Sequence, residues 1–220
     1  MRSLIYTLFI LFTLLLGGCQ VTSLSGNNIR GSGVAKTEKR EVAPFTSMDV
    51  NGAYQLNVVC QQAQSLEVSG DDNIVPLIIT EIREGTLYIR NEQSISPRSK
   101  LQVNISAPNI EKLSIAGASN TLLSKIQNDR LEVEVNGAGN LQAAGETNVL
   151  EVALNGAAKL NAKELHARKA DVVLNGAGMA DVYAEEEINA TINGVGNINY
   201  YGAPKVVNRN ISGVGRITSK

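Results

Sequence analysis

The sequence predicts an all-β protein: a parallel β-helix, or solenoid, with about 19–20 residues per coil, preceded by an irregular β-rich portion. Three observations carry the prediction. A short phrase recurs as Ala116-Gly117-Ala118-Ser119, Asn136-Gly137-Ala138-Gly139, Asn155-Gly156-Ala157-Ala158, Asn175-Gly176-Ala177-Gly178, Asn193-Gly194-Val195-Gly196 and Ser212-Gly213-Val214-Gly215. Apolar residues alternate with polar ones on both sides of it. Equivalent positions of successive copies hold the same kind of residue, which is what stacked coils require.

The chain opens on a targeting segment. Arg2 precedes an apolar run from Ser3 to Leu16, too short for a comfortable membrane span and suited to a signal peptide over 1–18. Leu16-Gly17-Gly18-Cys19 resembles a bacterial lipobox, which makes Cys19 the first mature residue and the carrier of a lipid that holds the protein to the membrane. Gln20, where such lipoproteins carry Asp for inner-membrane retention, favours the outer membrane. Residues 19–39 are polar and rich in Gly, Ser and Asn, and read as a lipidated flexible tether. With Cys19 acylated, Cys60 has no partner; it lies in the apolar run Leu56 to Cys60 and reads as a buried thiol.

Residues 40–220 read as the globular part, with less regular opening coils over 40–110 and regular repeats over 111–220. In the opening portion, Thr86–Arg90 and Leu101–Ile105 alternate cleanly. Asn73–Ile82 is ambiguous, because its apolar run is continuous and Pro76 argues against a central strand. In the repeats, the position two before each first glycine is Ile115, Val135, Leu154, Leu174, Ile192 and Ile211. Four after the glycine stand Thr121, Leu141, Leu160, Ala180, Ile198 and Ile217. Each repeat therefore holds two inward-facing strands around a corner, with stretches such as Gly145–Val149 and Lys163–Lys169 as a third side. Gly117, Gly137, Gly156, Gly176, Gly194 and Gly213 are expected to supply backbone angles closed to residues with a Cβ. Asn136, Asn155, Asn175 and Asn193 are placed to form a ladder of amides. Arg209 and Ser219 interrupt the inward columns and suit a polar closing coil. Asn-Gly between alternating strands is also a strong hairpin signal, but the small residues that follow each glycine fit a narrow corner better than a hairpin exit.

The chemistry is sparse. Twenty basic residues stand against 21 acidic ones, so there is no broad footprint for nucleic acid. The one GxG-type reading, a dinucleotide loop, fails because the phrase repeats and no helix follows. His166 is the sole histidine, which excludes a His-based metal cluster, and it reads as a surface-turn residue. Glu132, Glu151 and Asp171 form an outward acidic column, a weak candidate for Ca²⁺ or for shared-proton chemistry on a polysaccharide and more simply a solvated face. The sequons at Asn104, Asn189 and Asn210 are read as chance. No catalytic residue and no cofactor is expected.

Arg40 to Asp49 with Phe45, Leu87-Tyr88-Ile89, Leu113 to Ala118, the glycine phrases and Tyr200-Tyr201-Gly202-Ala203-Pro204-Lys205 together resemble the bacterial "putative autotransporter adhesin head GIN domain" family over about 40–220. In that family the phrase is usually Ser-Gly-Ser-Gly followed by Asp; here the following residue is Asn140, Lys159, Met179, Asn197 or Arg216, so the outer corner is less acidic. The resemblance implies a right-handed β-helix at the cell surface with a role in adhesion, and no catalytic residues. The expected function is thus a non-enzymatic envelope lipoprotein that meets a glycan or an envelope or host-surface protein, facing the periplasm or the exterior. A lyase-like polysaccharide enzyme and a purely structural part in envelope homeostasis are the alternatives.

Overall fold

The computed structural model describes residues 28–220. The signal peptide read over 1–18 and the lipidation site Cys19 lie outside the described residues. The opening strands are β1 (Ile29–Arg30), β2 (Ala35–Arg40), β3 (Ser47–Gly52), β4 (Gln55–Val59) and β5 (Ser65–Asp71). After a 3₁₀ turn at Val75–Leu77 come β6 (Ile78–Arg83), β7 (Thr86–Asn91), β8 (Ile95–Ser96) and β9 (Gln102–Ser106). The repeats form β10 (Lys112–Val135), β11 (Ala138–Leu154), β12 (Ala157–Leu174) and β13 (Ala177–Ile192), and the end is β14 (Val195–Tyr201), β15 (Val206–Ile211) and β16 (Val214–Ser219).

The long strands are coils of a parallel β-helix. Ala118 pairs with Ala138, Ala138 with Ala157, Ala177 with Val195 and Val195 with Val214, all in parallel. β10 is long enough to stack on itself: Glu132 N donates to Glu111 O and Asn136 N to Ile115 O. Three faces result. The first precedes the corner glycine, the second follows it, and the third, entered through register shifts near Leu123, Gln142 and Ala162, leads into the next coil. His166 lies on the third face within β12, in a strand rather than a turn.

The core is the inside of the coil. Ile115, Val135, Leu154, Leu174 and Ile192 are buried in one column, and Leu141, Leu160, Ala180 and Ile198 in another. Each fully buried Leu, Ile or Val contributes about 1.5–3 kcal/mol relative to exposure, and the column arrangement removes it from water by contact with its own equivalents. At the C-terminal end the pattern breaks as the residues demand. Arg209 is exposed, with its guanidinium 5.3 Å from the Tyr200 ring centroid and bonded to the Tyr200 hydroxyl.

The opening portion is interleaved rather than sequential. β3 pairs in parallel with β10 on one side and β7 on the other; β4 does the same with β10 and β9. The coil made by β3 and β4 is thus sandwiched between a later coil and a still later one. Antiparallel strands close this end: β6 on β7, β5 on β9, and β2 on β5. Here the tether reading is corrected. Residues 29–40 belong to the domain, because β1 pairs with β8 and β2 forms the outermost strand of the cap. The sequence Ala35-Lys-Thr-Glu-Lys-Arg40 is polar because neither face of this edge strand is buried, and its lysines discourage further pairing along its free edge.

Candidate functional site

The corner is built by proximity. A Cβ placed on Gly137, Gly156, Gly176, Gly194 or Gly213 would stand 1.9–2.0 Å from the carbonyl oxygen of the corner glycine one coil earlier. Among these six glycines Gly117 alone has a left-handed φ, +118°. The expectation that corner glycines serve unusual backbone angles therefore holds at Gly117; at the others the coils stack too closely for a side chain. Gly117 itself pairs with Gly52, and a Cβ on Gly117 would lie 2.3 Å from Gly52 O. Asn51-Gly52-Ala53 is thus a further copy of the phrase, displaced far ahead of the others in the chain. Beside the glycines the amides run as a ladder: Asn155 Nδ2 donates to Asn136 Oδ1 at 2.8 Å, Asn175 to Asn155 at 2.7 Å and Asn193 to Asn175 at 2.8 Å.

The first face is ionic. Glu132, Glu151 and Asp171 are in register, as column counting places them. Glu132 is held by Lys112 at 2.8 Å and Glu151 by Arg130 at 2.5 Å. Among the described residues no three His, Cys, Asp or Glu side chains are grouped to hold a metal ion. The structure uses two of the three carboxylates as ion-pair partners. The third face is also charged: Arg168 bonds Glu186, and the exposed His166 ring lies 4.3 Å from that of Tyr183.

Two further groups are structural in placement. Cys60 is a free, fully buried thiol, and burial pushes it up to about 11, against a backbone hydrogen bond from Ile110. Asp71 is buried in the opening cap. Burial alone would raise its pKa, yet it receives the amides of Ser99, Arg98 and Gly33 and the Ser99 hydroxyl at 2.7–3.1 Å, and these hold its carboxyl below the usual range.

The second face differs from both. Its inward residues are apolar except Thr121, which stands between Leu56 and Leu141, and its outward ones on β4, β9, β10 and β11 are predominantly amides. Gln55 and Asn57 stack on Gln102 and Asn104 on one side, and Asn120 stacks on Gln55 on the other. The columns continue through Asn140 and Lys159, and through Gln142 and Asn161. Beyond Met179 and Asp181 they return to amides at Asn197 and Asn199. Asn140 Nδ2 donates to Asn120 Oδ1 at 3.0 Å, Gln102 Nε2 to Asn104 Oδ1 at 3.0 Å and Asn199 Nδ2 to Asp181 Oδ1 at 2.7 Å. A shallow open groove runs over this face between Gln55 and Asn161. Asn57 Oδ1 and Asn161 Oδ1 are shielded from water and accept no hydrogen bond. Sequence reasoning met Asn140, Lys159, Met179 and Asn197 only as the residues after the glycine phrase, and passed over Gln55, Asn57, Gln102, Asn120 and Gln142 as members of one face. Their signal was the spacing of two in Gln55-x-Asn57, Gln102-x-Asn104 and Asn197-x-Asn199, which puts both amides on one side of a strand.

The family model described as "Putative auto-transporter adhesin, head GIN domain" matches residues 44–204. Among solved structures, a "putative adhesin" from Bacteroides fragilis superposes with a TM-score of 0.71 at 22% identity, covering 88% of this chain and 100% of its own. A "putative lipid binding protein" from Parabacteroides distasonis gives 0.55 at 20% identity, covering 88% and 99%. A "putative adhesin" from the same species gives 0.50 at 19% identity, covering 88% and 100%. At these identities the likeness is one of fold. No curated protein gives a significant match.

Proposed function

The chain belongs to the family described as "Putative auto-transporter adhesin, head GIN domain", and from that premise we propose that it is a lipid-anchored, non-catalytic binding module of the bacterial cell envelope. The lipid is carried by Cys19, in the outer membrane, and residues 20–27 are the span between anchor and domain. Binding takes place on the outer strand faces, where variable residues such as Lys159, Met179 and Arg216 stand on an otherwise regular frame. The observation that carries the reading is the uniform stacking itself. Family members of this shape are grouped as adhesins, and a rod of equivalent coils offers long flat surfaces instead of a cleft.

Two measurements test it. Replacing Cys19 by Ser is expected to move the protein from the membrane to the soluble fraction; unchanged fractionation sinks the anchor. A glycan and matrix-protein array probed with the soluble form is expected to give saturable binding without turnover. Release of cleaved product from a polysaccharide would replace the adhesion reading with a lyase-like one.

A further inference from the structure

We propose that the amide face of β9, β4, β10, β11 and β12 binds a neutral, hydroxyl-rich polysaccharide chain. This rests on the reading of the domain as a binding module and names the surface and ligand class. A primary amide has two N–H donors and two acceptor lone pairs. Where Asn140 donates to Asn120 across coils, the contact uses one donor of the first and one lone pair of the second. Each such amide keeps donor and acceptor capacity for an outside partner. Away from Asn57 and Asn161, whose Oδ1 atoms are shielded, the face thus offers both donors and acceptors, about 4.8 Å apart between coils and about 7 Å apart along each strand. A sugar hydroxyl both donates and accepts, so it answers such an array at every position. A carboxylate or phosphate only accepts and would meet half of the face unsatisfied.

Charge separates this face from its neighbours. On the first face, Lys112, Glu132, Arg130 and Glu151 are arranged in ion pairs, and the third carries Arg168 with Glu186. From Gln102 to Asn140 the second face carries no charge in either outward column; Lys159 follows on the next coil, and Asp181 stands one coil beyond it and two residues along the strand. Lys159 is the one cation lining the groove, so an extended acidic partner has a single charge to pair with there, whereas a neutral polymer needs none. The Asn140–Asn120 and Gln102–Asn104 bonds hold those four amides before binding, so less of their rotamer freedom remains to be lost. The groove between Gln55 and Asn161 gives the chain a seat and places Leu122 beside it for the apolar face of a sugar ring.

The test is affinity electrophoresis of the soluble protein in native gels containing a neutral glucan, a neutral mannan or polygalacturonate. Retardation by at least one neutral polymer is expected, with none by polygalacturonate. Asn140 and Gln142 are exposed, and the double substitution Asn140→Ala/Gln142→Ala, which removes two hydrogen-bonding amides, is expected to weaken binding about thirtyfold, or about 2 kcal/mol. Gln142→Glu keeps the size, removes the donor and is expected to weaken it as well. Asp171→Asn, on the first face, is expected to bind as the parent does. Neutral-polymer binding that survives both second-face variants, retardation by polygalacturonate alone, or no retardation at all overturns the proposal. If the array meanwhile shows a saturable ligand lost on changing the first or third face, the binding-module reading stands and this inference alone fails.

Discussion

At the scale of single residues, the corner is where small changes are felt most. Gly156→Ala forces a methyl group against Gly137 O and obliges two coils to part; a loss of about 1–3 kcal/mol is expected, as for overpacking elsewhere. Asn155→Ala removes ladder bonds to Asn136 and Asn175 without crowding anything, and about 1–2 kcal/mol is expected. Urea unfolding of the two variants checks both, and a harmless Gly156→Ala would mean that the corner is looser than described. Asp71 sets a pH dependence. Its native pKa lies below the ordinary value near 3.9, so its contribution is present above that value and is lost as pH falls through the lower native one. Asp71→Asn has one acceptor oxygen for donors that need two, and turns N–H against N–H. The Gly33, Arg98 and Ser99 amides are expected to exchange rapidly in this variant at neutral pH, whereas in the parent they lose protection only on acidification.

At the scale of elements, the cap at the opening end depends on β2. Arg40, on that strand, donates to Val75 O at 2.8 Å and Thr80 Oγ1 at 3.0 Å, and also reaches Ile78 O, tying the edge strand to the 3₁₀ turn and β6. Arg40→Ala strands those carbonyls and is expected to lower stability by about 2 kcal/mol and to free β2 first, read as early loss of amide protection over 35–40. The regular coils were legible from residues such as Ile115, Val135 and Leu154, because one residue type at one spacing answers one physical demand. The cap was not. β2 has no apolar face to announce it, and pairing of β5 with β9 in antiparallel sense depends on contacts far apart in sequence. Asn51-Gly52-Ala53 carried the phrase openly, but its partner is Gly117, outside any 19–20-residue period. The amide face was hidden for a different reason: outward Asn and Gln look like ordinary solvated positions until registration shows them stacked.

At the scale of the whole molecule, equivalent coils imply that the rod tolerates a change of length in whole coils. Removing residues 155–174 joins Leu154 to Asn175 and preserves every column, because Asn175 takes the place of Asn155. The shortened protein is expected to keep its β-sheet circular dichroism and to unfold at lower urea, in keeping with nearest-neighbour energetics. Removing half that stretch shifts apolar residues outward and is expected to give an insoluble product; recovery of a folded half-coil deletion would contradict the column description. The interleaving of β3 and β4 between β7–β9 and β10 also orders events in time. Later coils close over 18–20 residues, as Asn193 with Asn175 and Asn140 with Asn120, but the contact of Tyr54 N with Ser119 Oγ spans 65. Closing that loop costs more chain entropy and brings no reward until the strands on both sides arrive. The C-terminal coils are thus free to zip while the opening end waits, so a chain emerging from a ribosome or a translocation channel, first residue first, assembles its beginning last.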